Sequence, residues 1–275
     1  MTLARAGGAL RAFGLAAGLV LAGTAGAQTG AGPRPRPAAE PLLGAVAEGA
    51  RRRPLADDEV AAYGAVGRLN IAGRRFCTAT LIGEREVLTA AHCLFHPRTG
   101  AAVPLTELRF VPGVRPRRDV GAWAVARAAT APGFALVEAP RPADLHADIA
   151  LLELEAPVGA EVATPLATGP LLRGDAPPRI VSYARDRARA PSINPSCPPL
   201  GMIAEVLVIA CAIERGVSGA PALVGEGPEA RVVAVVSSMG RLPGGEEFAL
   251  AVAVAPWIDA LRAELAGSAT TPAEE

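Results

Sequence analysis

Three short motifs, far apart in the chain, constrain its fold more than any other feature: Leu88-Thr89-Ala90-Ala91-His92-Cys93, Asp148-Ile149-Ala150-Leu151-Leu152 and Gly216-Val217-Ser218-Gly219-Ala220-Pro221. Each sets one reactive side chain in a frame of small or apolar residues. A serine hydroxyl is a poor nucleophile at neutral pH. It needs a neutral imidazole to take its proton, and the imidazole needs a carboxylate to fix its tautomer and stabilise the imidazolium. A fold that uses these motifs together must bring residues 92, 148 and 218 to one place, and the chemistry expected there is hydrolysis through an activated oxygen.

Few other side chains compete for these roles. The chain has three histidines, His92, His96 and His146. His92 follows a candidate strand, Glu86 to Thr89, and stands beside Cys93, whereas His96 and His146 are read as surface residues. Asp148 opens an apolar run, so its carboxylate sits at the mouth of a buried strand, where it needs a partner. Ser218 lies between glycines at 216 and 219, in a turn that only small residues allow. The backbone N–H groups of Gly216 and Ser218 are expected to converge there as an oxyanion hole. No histidine follows Ser218, which excludes the Ser-Asp-His order of the α/β-hydrolases. An Asp-His-Ser order would have to borrow Asp57 or Asp58 from the polar end of the leader.

Composition narrows the class. The chain has 275 residues, is 51% hydrophobic and carries 27 basic against 27 acidic side chains, a balance that fits a globular protein and offers nothing to nucleic acid. Every basic residue in that count is arginine. Serine-lysine dyads, Schiff-base lysines and phosphate-loop lysines are therefore absent. At the amino terminus, Arg5 and Arg11, the apolar run Phe13 to Ala22 and the small residues Ala25-Gly26-Ala27 read as an export signal over residues 1–27. The run falls short of the roughly 20 residues that span a bilayer, so no membrane attachment is expected after cleavage, and the mature protein is expected to be secreted or periplasmic.

An oxidising compartment favours disulfides from the four cysteines. Three pairings are possible. Sequence neighbourhood favours Cys77 with Cys93 and Cys197 with Cys211, each contributing about 3 kcal/mol in the chain-entropy model. A zinc site built from all four lacks the tight spacing such sites use, so neither a metal nor a cofactor is expected.

Residues 28–57 are rich in Pro, Ala, Gly and Arg and read as a flexible leader or pro-segment. Their Arg51-Arg52-Arg53 cluster reads equally as a processing site or a solvated linker. From Tyr63 onward, short apolar runs separated by Gly, Pro and charged residues predict an all-β body. Candidate strands are Ala65 to Ile71, Thr78 to Ile82, Glu86 to Thr89, Glu107 to Val111, Ile149 to Leu154, Glu205 to Ala210, Arg231 to Ser237 and Glu247 to Val254. After Pro256, the helical spacing of Trp257, Ile258, Leu261 and Leu265 predicts a helix, and residues 267–275 read as a disordered tail.

With Cys77-Thr78-Ala79-Thr80-Leu81-Ile82-Gly83 added, the motifs resemble those of the chymotrypsin-like (trypsin-like) serine proteases, most closely the bacterial trypsin-like and glutamyl-endopeptidase-like branch, over roughly residues 60–265. The resemblance implies two packed six-stranded antiparallel β-barrels, over 58–156 and 157–266, with a catalytic cleft between them and a C-terminal α-helix closing the second segment. It makes His92 the general base and acid, Asp148 its orienter, Ser218 the acylated nucleophile, and the partner a polypeptide substrate attacked by a monomer.

Three departures qualify the likeness. Val217 stands where trypsin-like enzymes carry the aspartate that pairs with a new amino terminus. Ala212 replaces the carboxylate that selects Arg or Lys, and the second half offers no histidine for a glutamyl-type pocket. Ser238-Met239-Gly240 resembles the wall that pairs with substrate backbone, and Met239 gives it an apolar surface, pointing to a small or apolar P1 residue. Arg215, near the rim, suits acidic groups instead. Two rivals remain on the same fold: a catalytically inactive, protease-like binding protein, and an esterase-type hydrolase.

Overall fold

The computed structural model describes residues 51–116, 120–226, 229–241 and 245–267. The export signal, most of the leader and residues 268–275 of the expected tail lie outside this range. None of the described helices is long and apolar enough to cross a membrane.

The described chain opens with β1 (Arg53–Pro54), a short helix α1 (Asp57–Val60) and a turn of 3-10 helix, Ala61–Tyr63. The end of the segment expected to be a flexible leader is therefore ordered. β1 pairs antiparallel with Ile193 and Ser192, and the Leu55 N–H donates to the Pro191 carbonyl at 3.2 Å while its side chain is buried. Arg53 holds Glu59 through two bonds of 2.6 Å. Those bonds, with a further one from the Ala56 N–H, keep the Glu59 carboxyl down to about 2.

Six strands then close into a barrel: β2 (Val66–Ile71), β3 (Arg75–Leu81), β4 (Glu86–Thr89), β5 (Leu108–Pro112), β6 (Trp123–Thr130) and β7 (Ala150–Leu154), hydrogen-bonded in the order β2-β3-β4-β7-β6-β5. Period-two alternation explains the first of them. Leu69 and Ile71 point into the core, while Arg68 and Asn70 face outward. β3 is buried along most of its length, Cys77 through Leu81, because the second body covers its outer face.

That second body contains β8 (Ala167–Thr168), β9 (Arg179–Ala184), β10 (Arg187–Asn194), β11 (Pro199–Ile203), β12 (Val206–Ile209), β13 (Pro221–Val224), β14 (Arg231–Arg241) and β15 (Glu247–Ala253). Here the structure corrects the expected closed six-stranded barrel. Among the described residues the sheet is curled and open, running β1-β10-β9-β13-β14-β15-β12-β11, with β8 parallel to β14. Pro195 and Pro198 occupy the link between β10 and β11 and Pro199 opens β11, and a proline has no N–H to carry the ladder across.

The last element, α2 (Ile258–Gly267), buries Ile258, Leu261 and Leu265. Its Arg262 grips Glu86 of β4 at 2.9 and 2.7 Å, and Arg127 of β6 caps it by donating to the Leu265 carbonyl.

Leu88, fully buried in the first barrel, tests this core. Leu88→Ala is expected to lower the unfolding free energy by about 2–5 kcal/mol, read from urea denaturation.

Candidate active site

β4 leads the chain to His92. After Thr89 the backbone passes through Ala90 and Ala91, both fully buried, into the 3-10 turn Ala91–Leu94. Larger side chains have no room at either alanine. The disulfide Cys77–Cys93, with its Cα atoms 6.3 Å apart, ties this turn to β3. Cys197–Cys211 forms the second bridge, so both favoured pairings are present.

His92 is fixed twice by one carboxylate. Its backbone N–H donates to Asp148 Oδ1 at 2.8 Å, and its ring Nδ1 lies 2.7 Å from Oδ2. The Ser237 hydroxyl also donates to Oδ2. Asp148 is buried at the entrance to β7, where its own N–H donates to the Leu145 carbonyl at 2.9 Å. Burial alone would raise this carboxyl. The His92 charge and the bonds from His92 and Ser237 outweigh burial and hold it below its ordinary value. A proton on Nδ1, held by the carboxylate, leaves the Nε2 lone pair free to act as a base.

The Ser218 turn grows out of the second sheet and leans on the first barrel. Gly216 (φ 100°) and Gly219 (φ 81°) take left-handed conformations, and a Cβ at 219 would lie 2.1 Å from the Thr78 carbonyl. Val217, between them, is fully buried and donates to the Glu214 carbonyl at 3.2 Å. Gly219 donates to Val236 of β14 at 2.7 Å, which ties the turn to the strand that carries Ser237. Among the described residues, no acceptor takes the N–H of Gly216 or Ser218, so both donors remain open to an anion. The Ser218 hydroxyl is half-buried and makes no hydrogen bond to the imidazole, a contact that in substrate-free enzymes commonly tightens only when substrate arrives.

Thr78, fully buried on β3, stitches these parts together. Its N–H donates to the Ser218 carbonyl at 2.8 Å. Its hydroxyl accepts from Tyr183 N–H and donates to the Gly216 carbonyl, both at 3.0 Å, and its own carbonyl accepts from Thr89 Oγ1 at 2.9 Å.

A cleft of about 650 Å³ opens beside His92, Asp148, Ser237 and Ser238, with Phe134, Leu136, Val137 and Leu145 as its apolar wall. Of the expected substrate-binding residues, Ser238 lines this cleft, Met239 is exposed further along β14, and Gly240 packs under Phe248. Ala212 and Arg215 lie outside it. Both are exposed, and their carbonyls accept from Asn194 Nδ2 at 3.0 Å and Arg185 N–H at 2.7 Å. Among the described residues, the close group of possible metal ligands is Cys77, His92 and Cys93, whose sulfurs are committed to the disulfide. Sequence reasoning missed Ser237, Thr78 and the loop from Phe134 to Pro140. A serine ending the apolar run Val232 to Val236 is the one signal that marked Ser237.

Two substitutions test this arrangement. A carboxyl held below its ordinary value contributes stability that is fully present above the unfolded-state value and is lost as pH falls through the folded-state value. Ser237→Ala removes one donor, so its acid unfolding midpoint should move to higher pH in circular-dichroism titrations below about pH 5. Thr78→Val leaves the Gly216 carbonyl and the Tyr183 amide without their hydroxyl partner and should cost about 1–3 kcal/mol by chemical denaturation.

Comparison with known proteins agrees with this geometry. Residues 58–179 match the protein family described as Trypsin. No curated protein matches the chain. Among solved structures, a Glu endopeptidase in complex with MPD superimposes with a TM-score of 0.62 at 17% identity, over 78% of this chain and 96% of that one, and so shares the fold. The match to the Trypsin family thus covers residues 58–179, and the chain shares its fold with that endopeptidase.

Proposed function

We propose that the chain is an exported serine endopeptidase that cleaves polypeptides through an acyl-enzyme on Ser218. One observation carries this reading: the His92–Asp148 pair adjoins a serine turn whose two amides, at Gly216 and Ser218, are bound to no acceptor among the described residues. Ser218 Oγ attacks the substrate carbonyl while His92 Nε2 takes its proton. The carbonyl π electrons move onto oxygen, where the two amides receive them. Asp148 stabilises the imidazolium, which then hands the proton to the departing amine as the C–N bond breaks. Water, deprotonated by His92, hydrolyses the ester and restores the hydroxyl.

The export signal read over residues 1–27 and the two disulfides support action outside the cytoplasm. The apolar wall of the cleft, with exposed Met239 further along β14, supports a small or apolar P1 residue.

A fluorophosphonate probe tests the reading. The folded mature chain should be labelled stoichiometrically at Ser218, with labelling abolished in Ser218→Ala and reduced by at least about 10³-fold in His92→Ala. Absence of labelling in the folded wild type would instead indicate a protease-like binding protein. Cleavage of esters without any peptide cleavage would indicate the esterase.

A further inference from the structure

A second concavity, of about 300 Å³, lies on the β2–β3 hairpin and is lined by Arg68, Asn70, Gly73, Arg74, Arg75 and Phe76. It is strongly cationic. The Arg68 guanidinium lies 4.3 Å over the Phe76 ring and donates to the Ala188 carbonyl at 2.7 Å, while its Nε is buried without an acceptor. Arg75 donates to the carbonyls of Cys93 and Phe95, and Arg74 is exposed. Eight arginines among the described residues pair with carboxylates, but Arg68, Arg74 and Arg75 do not. Burial depresses the Arg68 guanidinium from its ordinary value and the nearby Arg189 charge adds to this, against the opposing effect of Tyr183. Of the carboxylates in the neighbouring loops, Asp186 is taken by Arg52, and Glu214 is exposed with no ion pair to this cluster.

The pocket adjoins the proposed reaction centre. The Phe76 ring packs against the oxyanion turn so closely that a Cβ on Gly216 would lie 2.8 Å from Phe76 Cε2. β3 then leads from Thr78, bonded to the Ser218 carbonyl, to Arg75 and Arg74, a run of three to four residues or about 10–13 Å. The cleft beside Ser238 shares no lining residue with this pocket. With that cleft taken by residues before the scissile bond, as in the reading above, the arginine pocket is left to the residues that follow it.

We propose that this pocket binds a carboxylate side chain of the substrate, two to three residues beyond the scissile bond. This rests on the endopeptidase reading above. A carboxylate accepts bonds from Arg68 and Arg74 in charge-assisted geometry and relieves the repulsion among the clustered guanidiniums. The enzyme thereby selects acidic sequences downstream of the cut, whatever side chain precedes it.

Internally quenched peptides that differ only at the second and third residues after the cleaved bond test the proposal. Wild type should cleave those with Asp or Glu there with kcat/KM about tenfold above Ala or Gln counterparts, and added salt should shrink the ratio. In Arg74→Glu the preference should invert toward Lys. In Arg68→Gln, checked for folding by circular dichroism, the acidic preference should fall. Equal kcat/KM for acidic and neutral peptides in wild type, or a ratio untouched in Arg74→Glu, would overturn it. Cleavage of the neutral peptide together with probe labelling at Ser218 separates that failure from failure of the endopeptidase reading, in which no peptide is cut.

Discussion

The arrangement depends on one buried carboxylate. Asp148 receives His92 through both backbone and ring, and Ser237 through its hydroxyl, so a single side chain fixes where the imidazole sits, which nitrogen carries its proton and where β14 meets the first barrel. Its desolvation is unfavourable and is offset only because these donors converge. An amide in its place would preserve the shape but present an N–H to one of three donors, which is why chemistry and packing are inseparable at this residue.

Thr78 has the complementary role on the side of the Ser218 turn. The disulfide from the neighbouring Cys77 anchors the histidine turn, while the threonine holds both carbonyls that frame the serine turn. Two reactive segments from different halves of the chain are thus referenced to one strand.

Much of this was legible in the sequence. Eight strands and the final helix were read close to their observed bounds because apolar alternation or helical spacing marks them, and the His92, Asp148 and Ser218 motifs stand out by their small-residue frames. β6, Trp-Ala-Val-Ala-Arg-Ala-Ala-Thr, escaped because alanine carries little strand preference. β10 escaped behind alternating arginines, and β13 because it follows the Ser218 turn without a break. Closure of the second body was overestimated because the effect of the prolines after β10 depends on spatial neighbours. Ser237 and Thr78 acquire their roles from partners 89 and 138 residues away, which no local pattern encodes.

The burial of Val217 has a consequence for timing. A serine turn wedged in place by an apolar side chain inside the core owes nothing to a freshly cut terminus. In the proposed enzyme, competence therefore arrives with folding, and restraint before release falls to whatever delays folding.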